Sequence, residues 1–135
     1  MKERKFVGVL QAHPDDCVSA GVASLFGVSL ESVPRFSAES WGDELDDWLA
    51  SRGFGFINVR FPDDQKRGIP SGYTIGAVAT TSGRHPGSFM HCVICLDGMI
   101  VWDPLMGEQP GTERAEEYTI IYRLRPTLDI AGVGV

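Results

Sequence analysis

The sequence predicts an α+β fold with helices first and an antiparallel sheet after them. Helical spacing of apolar residues is confined to the first 50 or so positions. From Phe56 onward the periodicity shifts to short segments rich in β-branched and aromatic residues, and the later ones are separated by hairpin-length connections. That order favours an antiparallel sheet with segregated helices over alternating βαβ units.

The elements follow in turn. Phe6 to Leu10 reads as a short strand. Pro14-Asp15-Asp16 then supplies a proline suited to a first turn and two acids suited to a helix N-terminus. A helix is predicted to begin near Cys17, with Val18, Val22, Leu25 and Phe26 at helical spacing and Gly27 as its stop. A second helix is signalled by Ser37 or Ser40 as N-cap and by Trp41, Leu45, Trp48 and Leu49. Glu44, Asp46 and Asp47 turn outward, and Gly53 closes it. This aromatic stripe reads as core. Strands are predicted over Phe56 to Phe61, Tyr73 to Thr81, Phe89 to Leu96, Met99 to Asp103 and Tyr118 to Leu124. Pro62 to Ser71 and Leu105 to Ala115 are loops, and Ala131 to Val135 is a loose tail. With no repeat, low-complexity tract or linker, residues 1–135 read as one domain.

Composition excludes some function classes. Eighteen acidic against twelve basic residues give a net charge of -6, which repels a phosphate backbone, so nucleic acid is not an expected partner. The basic residues from Lys2 to Lys5 read as a solvated tip. No segment approaches the ~20 apolar residues that span a bilayer, and Phe6 to Leu10 is too short for a signal-peptide core. The expectation is therefore a cytoplasmic protein without a membrane partner. Three cysteines, an odd number, do not suggest a disulfide framework, and at least one thiol is expected to be free. Oligomeric state is left open.

One cysteine has a chemical context. The first turn of a helix favours a thiolate through the helix dipole and the free backbone amides, which is where Cys17 falls. Gln11, six residues earlier, can place its amide beside the helix start, where it would donate to an oxyanion forming near the sulfur. His91 stands near the start of an otherwise apolar strand, an odd place for a titratable ring without a task. Asp103 ends the next strand just before Pro104. If a two-residue loop, Asp97-Gly98, joins these strands, Leu96 pairs with Met99, and His91 and Asp103 point to opposite faces. If the loop is Leu96-Asp97-Gly98, with Gly98 left-handed, Cys95 pairs with Met99 and His91 falls opposite Asp103. A joint role for the two predicts the three-residue turn.

Gln11 followed after five residues by Cys17 at a helix start, then a strand led by His91, then Asp103-Pro104, resembles the papain-like cysteine peptidases. The likeness is greatest to the bacteriocin-processing (double-glycine leader) peptidase group and its small bacterial relatives. It covers about Gln11 to Pro104, and departs where Val18 follows the cysteine in place of the frequent glycine. The resemblance implies a papain-like fold. It also implies an acyl-enzyme on Cys17, His91 as base, Asp103 orienting His91, Gln11 in the oxyanion hole, no cofactor, and a peptide or protein substrate cleaved at a peptide or isopeptide bond. Acyl transfer or deamidation would use the same four groups.

Other readings compete. The chain could be a silent module that binds a peptide or small ligand in the same cleft, or Cys17, His91 and Asp103 could hold a metal. Cys92-Val93-Ile94-Cys95 has redox or zinc spacing, but on a strand its cysteines point to opposite faces, so packing is the simpler reading. His13 and His85 read as exposed turn residues. Ser82 to Ser88 is the candidate substrate-lining loop by position.

Overall fold

A computed structural model describes residues 6–13, 16–37, 39–61, 69–79 and 90–124. Lys2 to Lys5, Pro14, Asp15, Ser82 to Ser88 with His85, most of the loop from Pro62 to Ser71, and the tail from Ala131 lie outside them. Helix α1 (Cys17–Phe26) is followed by a 3-10 turn at Leu30–Ser32 and by α2 (Trp41–Ala50). Then come strands β1 (Phe54–Arg60), β2 (Tyr73–Ala79), β3 (Met90–Leu96), β4 (Met99–Asp103), β5 (Gly107–Glu108) and β6 (Glu117–Arg123). All strands pair antiparallel in one sheet of order β1-β6-β2-β3-β4-β5. The α+β class and the order of helices before strands are as the sequence predicts.

Small residues let α1 lie close on the sheet. Ala20 and Ala23 are fully buried, and a Cβ added to Gly21 would meet Ile75 and Ile94 side chains at 3.5 and 3.7 Å. Gly27 ends the helix with φ 66°, a conformation that glycine adopts without steric cost. In α2, Leu45 and Leu49 are fully buried, while Asp46 and Asp47 face solvent. Its start is held by Glu44, whose carboxylate accepts from the Ser37 and Ser40 hydroxyls at 2.6 and 2.9 Å. These bonds, Ser37 first, hold the Glu44 carboxyl below its usual range. Val22, Ala23, Leu45, Leu49, Ile75 and Ile94 form the helix-side core, and Val93, Cys95, Ile100, Ala115 and Tyr118 form a second cluster.

Three expectations are corrected. Phe6 to Leu10 is not a strand, because side chains satisfy its backbone. Val9 N–H donates to Ser24 Oγ at 2.8 Å, and Val9 C=O accepts from Trp102 Nε1 at 3.1 Å. Gly8 lies so close beneath the Trp102 indole that a Cβ there would overlap the ring. The loop after Leu105 contains β5, a two-residue strand too short to show a period. The third correction concerns the β3–β4 hairpin.

That hairpin has the two-residue loop. Leu96 pairs with Met99, and Asp97 and Gly98 both have positive φ, 51° and 84°, the signature of a type I′ turn. The predicted three-residue turn is absent. Instead, Cys95 pairs with Ile100 but Ile94 pairs with Trp102, so Val101 is an extra residue on β4, a β-bulge. Its carbonyl accepts from Gln109 N–H at 2.9 Å on the other side of the strand. Val101 and Trp102 both pack on the helix-side core, whereas Ile100 belongs to the second cluster. Alternation is thus broken once, and Asp103 returns to the face that a regular two-residue hairpin would have denied it.

Behind the sheet the second cluster closes over Gly76. A Cβ there would stand 2.6 Å from Ala115 Cβ and 2.7 Å from Cys95 Sγ. Gly76→Val should therefore lower stability by about 1–3 kcal/mol, the usual cost of overpacking a tight core, read as a lower urea midpoint with an unchanged slope. An unchanged midpoint would show that the cluster can spread.

Candidate active site

Cys17 is the first residue of α1 and only 8% exposed. The turn before it is built by Asp16, whose Oδ2 accepts from His13 N–H at 3.0 Å and whose Oδ1 lies 3.1 Å from Arg35 Nε. Asp16 C=O accepts from Ala20 N–H at 2.9 Å and so starts the helical ladder. The buried N-cap carboxylate thus fixes the loop and the helix start together, with Arg35 offsetting its charge.

His91 and Asp103 meet. His91 Nε2 is 2.8 Å from Asp103 Oδ1, with side-chain exposures of 8% and 14%. Asp103 Oδ1 also accepts from Leu105 N–H at 2.8 Å, which fixes the carboxylate just past the end of β4. With Nε2 on the carboxylate, Nδ1 is the ring nitrogen left for Cys17, and each of the two groups shifts the titration of the other.

Electrostatics follow from these contacts. The Cys92 S–H hydrogen bond lowers the Cys17 thiol most; burial opposes it. The His91 hydrogen bond, the Cys92 N–H and the His91 charge then bring the thiol down to about 4. Burial by itself would lower His91, but the Asp103 and Cys17 hydrogen bonds and charges outweigh it and raise the ring to about 9. Burial likewise pushes Asp103 up, and the hydrogen bonds from His91 and from the Leu105 and Met106 amides, with the His91 charge, bring it below its usual value. Both shifts favour a thiolate–imidazolium form of the Cys17 and His91 pair.

Gln11 comes to the edge of this cluster through its backbone. Its N–H donates to Pro104 C=O at 2.9 Å, beside Asp103. Its Nε2 donates to His13 C=O at 2.6 Å, while Oε1 is buried and has no hydrogen-bond partner among the described residues. The amide therefore lies in the loop that leads into Cys17, with its second N–H hydrogen not used in that bond.

The residue that sequence reasoning passed over is Cys92. Cys92 packs on the helix-side core and Cys95 lies in the second cluster, as the strand period requires. Cys92, however, is the largest influence that lowers the Cys17 thiol. Its place on the helix-facing side of the strand beside His91 is the signal that could have found it. Cys95 has no such neighbour, and burial pushes it up to about 12. His13 is exposed.

The metal alternative does not fit this geometry, because the imidazole separates Cys17 from Asp103. No group of three or more His, Cys, Asp or Glu side chains among the described residues is arranged to hold an ion. Surface cavities among the described residues lie away from Cys17 in two places. One, of about 380 Å³, lies between Phe6, Val9, Leu25, Val28 and Tyr73; the other, of about 400 Å³, lies beside Arg60, Phe61 and Arg114. Neither includes Cys17. No helix among the described residues is long and apolar enough to cross a membrane. No family model and no curated protein matches the chain.

Proposed function

We propose that this protein is a cysteine-dependent acyl hydrolase of papain-like type, acting in the cytoplasm on a peptide or isopeptide bond of a peptide or protein substrate. The observation that carries this reading is the line Cys17–His91–Asp103: an acidic thiol at a helix start, a ring raised to about 9 beside it, and a carboxylate 2.8 Å from the ring's far nitrogen. The Cys17 thiolate attacks the acyl carbon and forms a tetrahedral oxyanion. The free N–H of Gln11 Nε2 and the Cys17 backbone amide are the donors assigned to that oxygen. His91 gives its proton to the departing amine. As a neutral base it then takes one from water, which attacks the thioester and releases the acid. Asp103 holds the ring orientation and favours its charged form. An amine in place of water would turn the same steps into acyl transfer.

An activated ester tests the reading without knowledge of the natural substrate. With p-nitrophenyl acetate, the protein should release a burst of nitrophenolate equal to the chain concentration, and mass spectrometry should find the acetyl group on Cys17. Cys17→Ala should abolish both. No burst, or acetyl spread over Cys17, Cys92 and Cys95 alike, would support the silent binding module.

A further inference from the structure

Asp16 is the residue just before α1, and its carboxylate does not serve the helix. An aspartate there ordinarily accepts from the second or third amide of the helix. Among the described residues Asp16 makes no such bond. Its carboxylate turns back to the preceding loop, where Oδ2 accepts from His13 N–H at 3.0 Å and Oδ1 lies 3.1 Å from Arg35 Nε.

His13 in turn holds Gln11. The His13 carbonyl accepts from Asp16 N–H at 3.2 Å and from Gln11 Nε2 at 2.6 Å. Asp16 therefore holds both backbone polar groups of His13, its N–H through the carboxylate and its C=O through the amide. Gln11 is fixed separately at its own N–H, which donates to Pro104 C=O at 2.9 Å. A carbonyl oxygen accepts from Nε2 and repels Oε1, so the Gln11 amide has one orientation and the second Nε2 hydrogen a set direction.

We propose that Asp16 is a positioning residue for the oxyanion hole: through the His13 carbonyl it sets the direction of the Gln11 amide. The inference rests on the acyl-enzyme reading above, in which Gln11 Nε2 is one of two donors to the oxyanion.

Helix capping does not account for this residue. Serine caps a helix about as well as aspartate, yet here a carboxylate only 4% exposed is kept, at a desolvation cost that the His13 N–H and Arg35 must offset. A carboxylate turned forward would also occupy the first-turn amides. Turned back, it leaves them free for the Cys17 end of the site. Nor does Asp16 set the acidity of the nucleophile, which follows from Cys92, burial and His91.

The size of the effect is bounded by Gln11. Losing one oxyanion donor costs about 10²–10³-fold in rate, and a misplacement of about 1 Å costs up to about 10²-fold. Asp16→Ala should therefore slow acylation by about 10–100-fold, and by no more than Gln11→Ala does.

The test compares two reactions of one sulfur in the full-length protein. Acetylation of Cys17 by p-nitrophenyl acetate, followed as nitrophenolate release with protein in excess, passes through an oxyanion. Alkylation by iodoacetamide displaces iodide and does not. Asp16→Ala should slow the first and leave the rate and pH midpoint of the second unchanged. Asp16→Ser, which keeps a helix cap but is too short to replace the carboxylate, should behave in the same way. Asp16→Asn, which keeps an oxygen for His13 N–H, should recover most of the rate. Gln11→Ala with Asp16→Ala should be no slower than Gln11→Ala alone. Full activity in Asp16→Ser, equal slowing of both reactions, or fully multiplicative losses in the double variant would each overturn the inference and leave the acyl-enzyme standing. Absence of acetyl-Cys17 in the wild type would overturn the acyl reading itself.

Discussion

Alkylation of Cys17 by iodoacetamide should titrate with a midpoint near pH 4, far below the ~8.5 of an unperturbed thiol. The shift follows from the Cys92 and His91 hydrogen bonds and the His91 charge, which together overcome burial. The midpoint is the informative quantity; the rate at neutral pH is not. Intrinsic nucleophilicity falls as a thiol becomes more acidic, by about 0.4–0.5 log units per unit of pKa. A thiolate four to five units more acidic is thus roughly a hundredfold less reactive per molecule, which more than offsets the roughly thirtyfold it gains in population at pH 7. The advantage appears at pH 5 to 6, where an ordinary thiol is almost wholly protonated. His91→Ala should move the midpoint up and, by the same relation, raise the rate at pH 9, where the less acidic thiolate is the better nucleophile. A wild-type midpoint near 8.5 would mean that Cys17 and His91 do not share a proton, and the proposed mechanism would lose its nucleophile. Cys95, raised to about 12 by burial, should stay unmodified throughout the range and serves as the internal control.

Much of the fold was legible because it rests on local periodicity. Trp41, Leu45, Trp48 and Leu49 recur at helical spacing and bury one face of α2, and Gly27 stops α1 where a left-handed residue is needed. What escaped was non-local. Phe6 to Leu10 has the composition of a strand, but its hydrogen bonds go to Ser24 and Trp102, contacts that no window of sequence contains. The hairpin is the sharper case. Parity correctly requires an odd shift somewhere between His91 and Asp103, and sequence reasoning placed that shift in the turn. Asp97 and Gly98 both reach positive φ, so the turn stays at two residues and Val101 takes up the shift inside β4. Nothing about a valine in a strand announces a bulge; the loop that bonds to its carbonyl through Gln109 is eight residues further on. Cys92 escaped for the same reason. A strand pattern gives its face, but only the packing of α1 on β3 shows which side chain it meets.

Asp103→Ala should produce a large loss of acyl transfer, short of removing Cys17 or His91 itself. Without the carboxylate, the hydrogen bond and charge of Asp103 disappear, while the burial that lowers His91 and the Cys17 interaction that raises it remain. The ring should then titrate below about 9. It would also be free to turn. The proton would no longer be held for the leaving group, and the charge beside the Cys17 thiolate would weaken. By analogy with the loss of an orienting acid from other nucleophile–histidine pairs, turnover on an activated amide should fall by about 10²–10⁴-fold at pH 7. Asp103→Asn separates orientation from charge, because its amide oxygen can still accept from His91 Nε2. It should retain much of the activity while moving the alkaline limit of the pH profile down from about 9. A ring NMR titration of His91 in the three proteins decides the matter. If its midpoint stays the same in wild type and Asp103→Ala, the 2.8 Å contact is structural and Asp103 has no part in tuning the base.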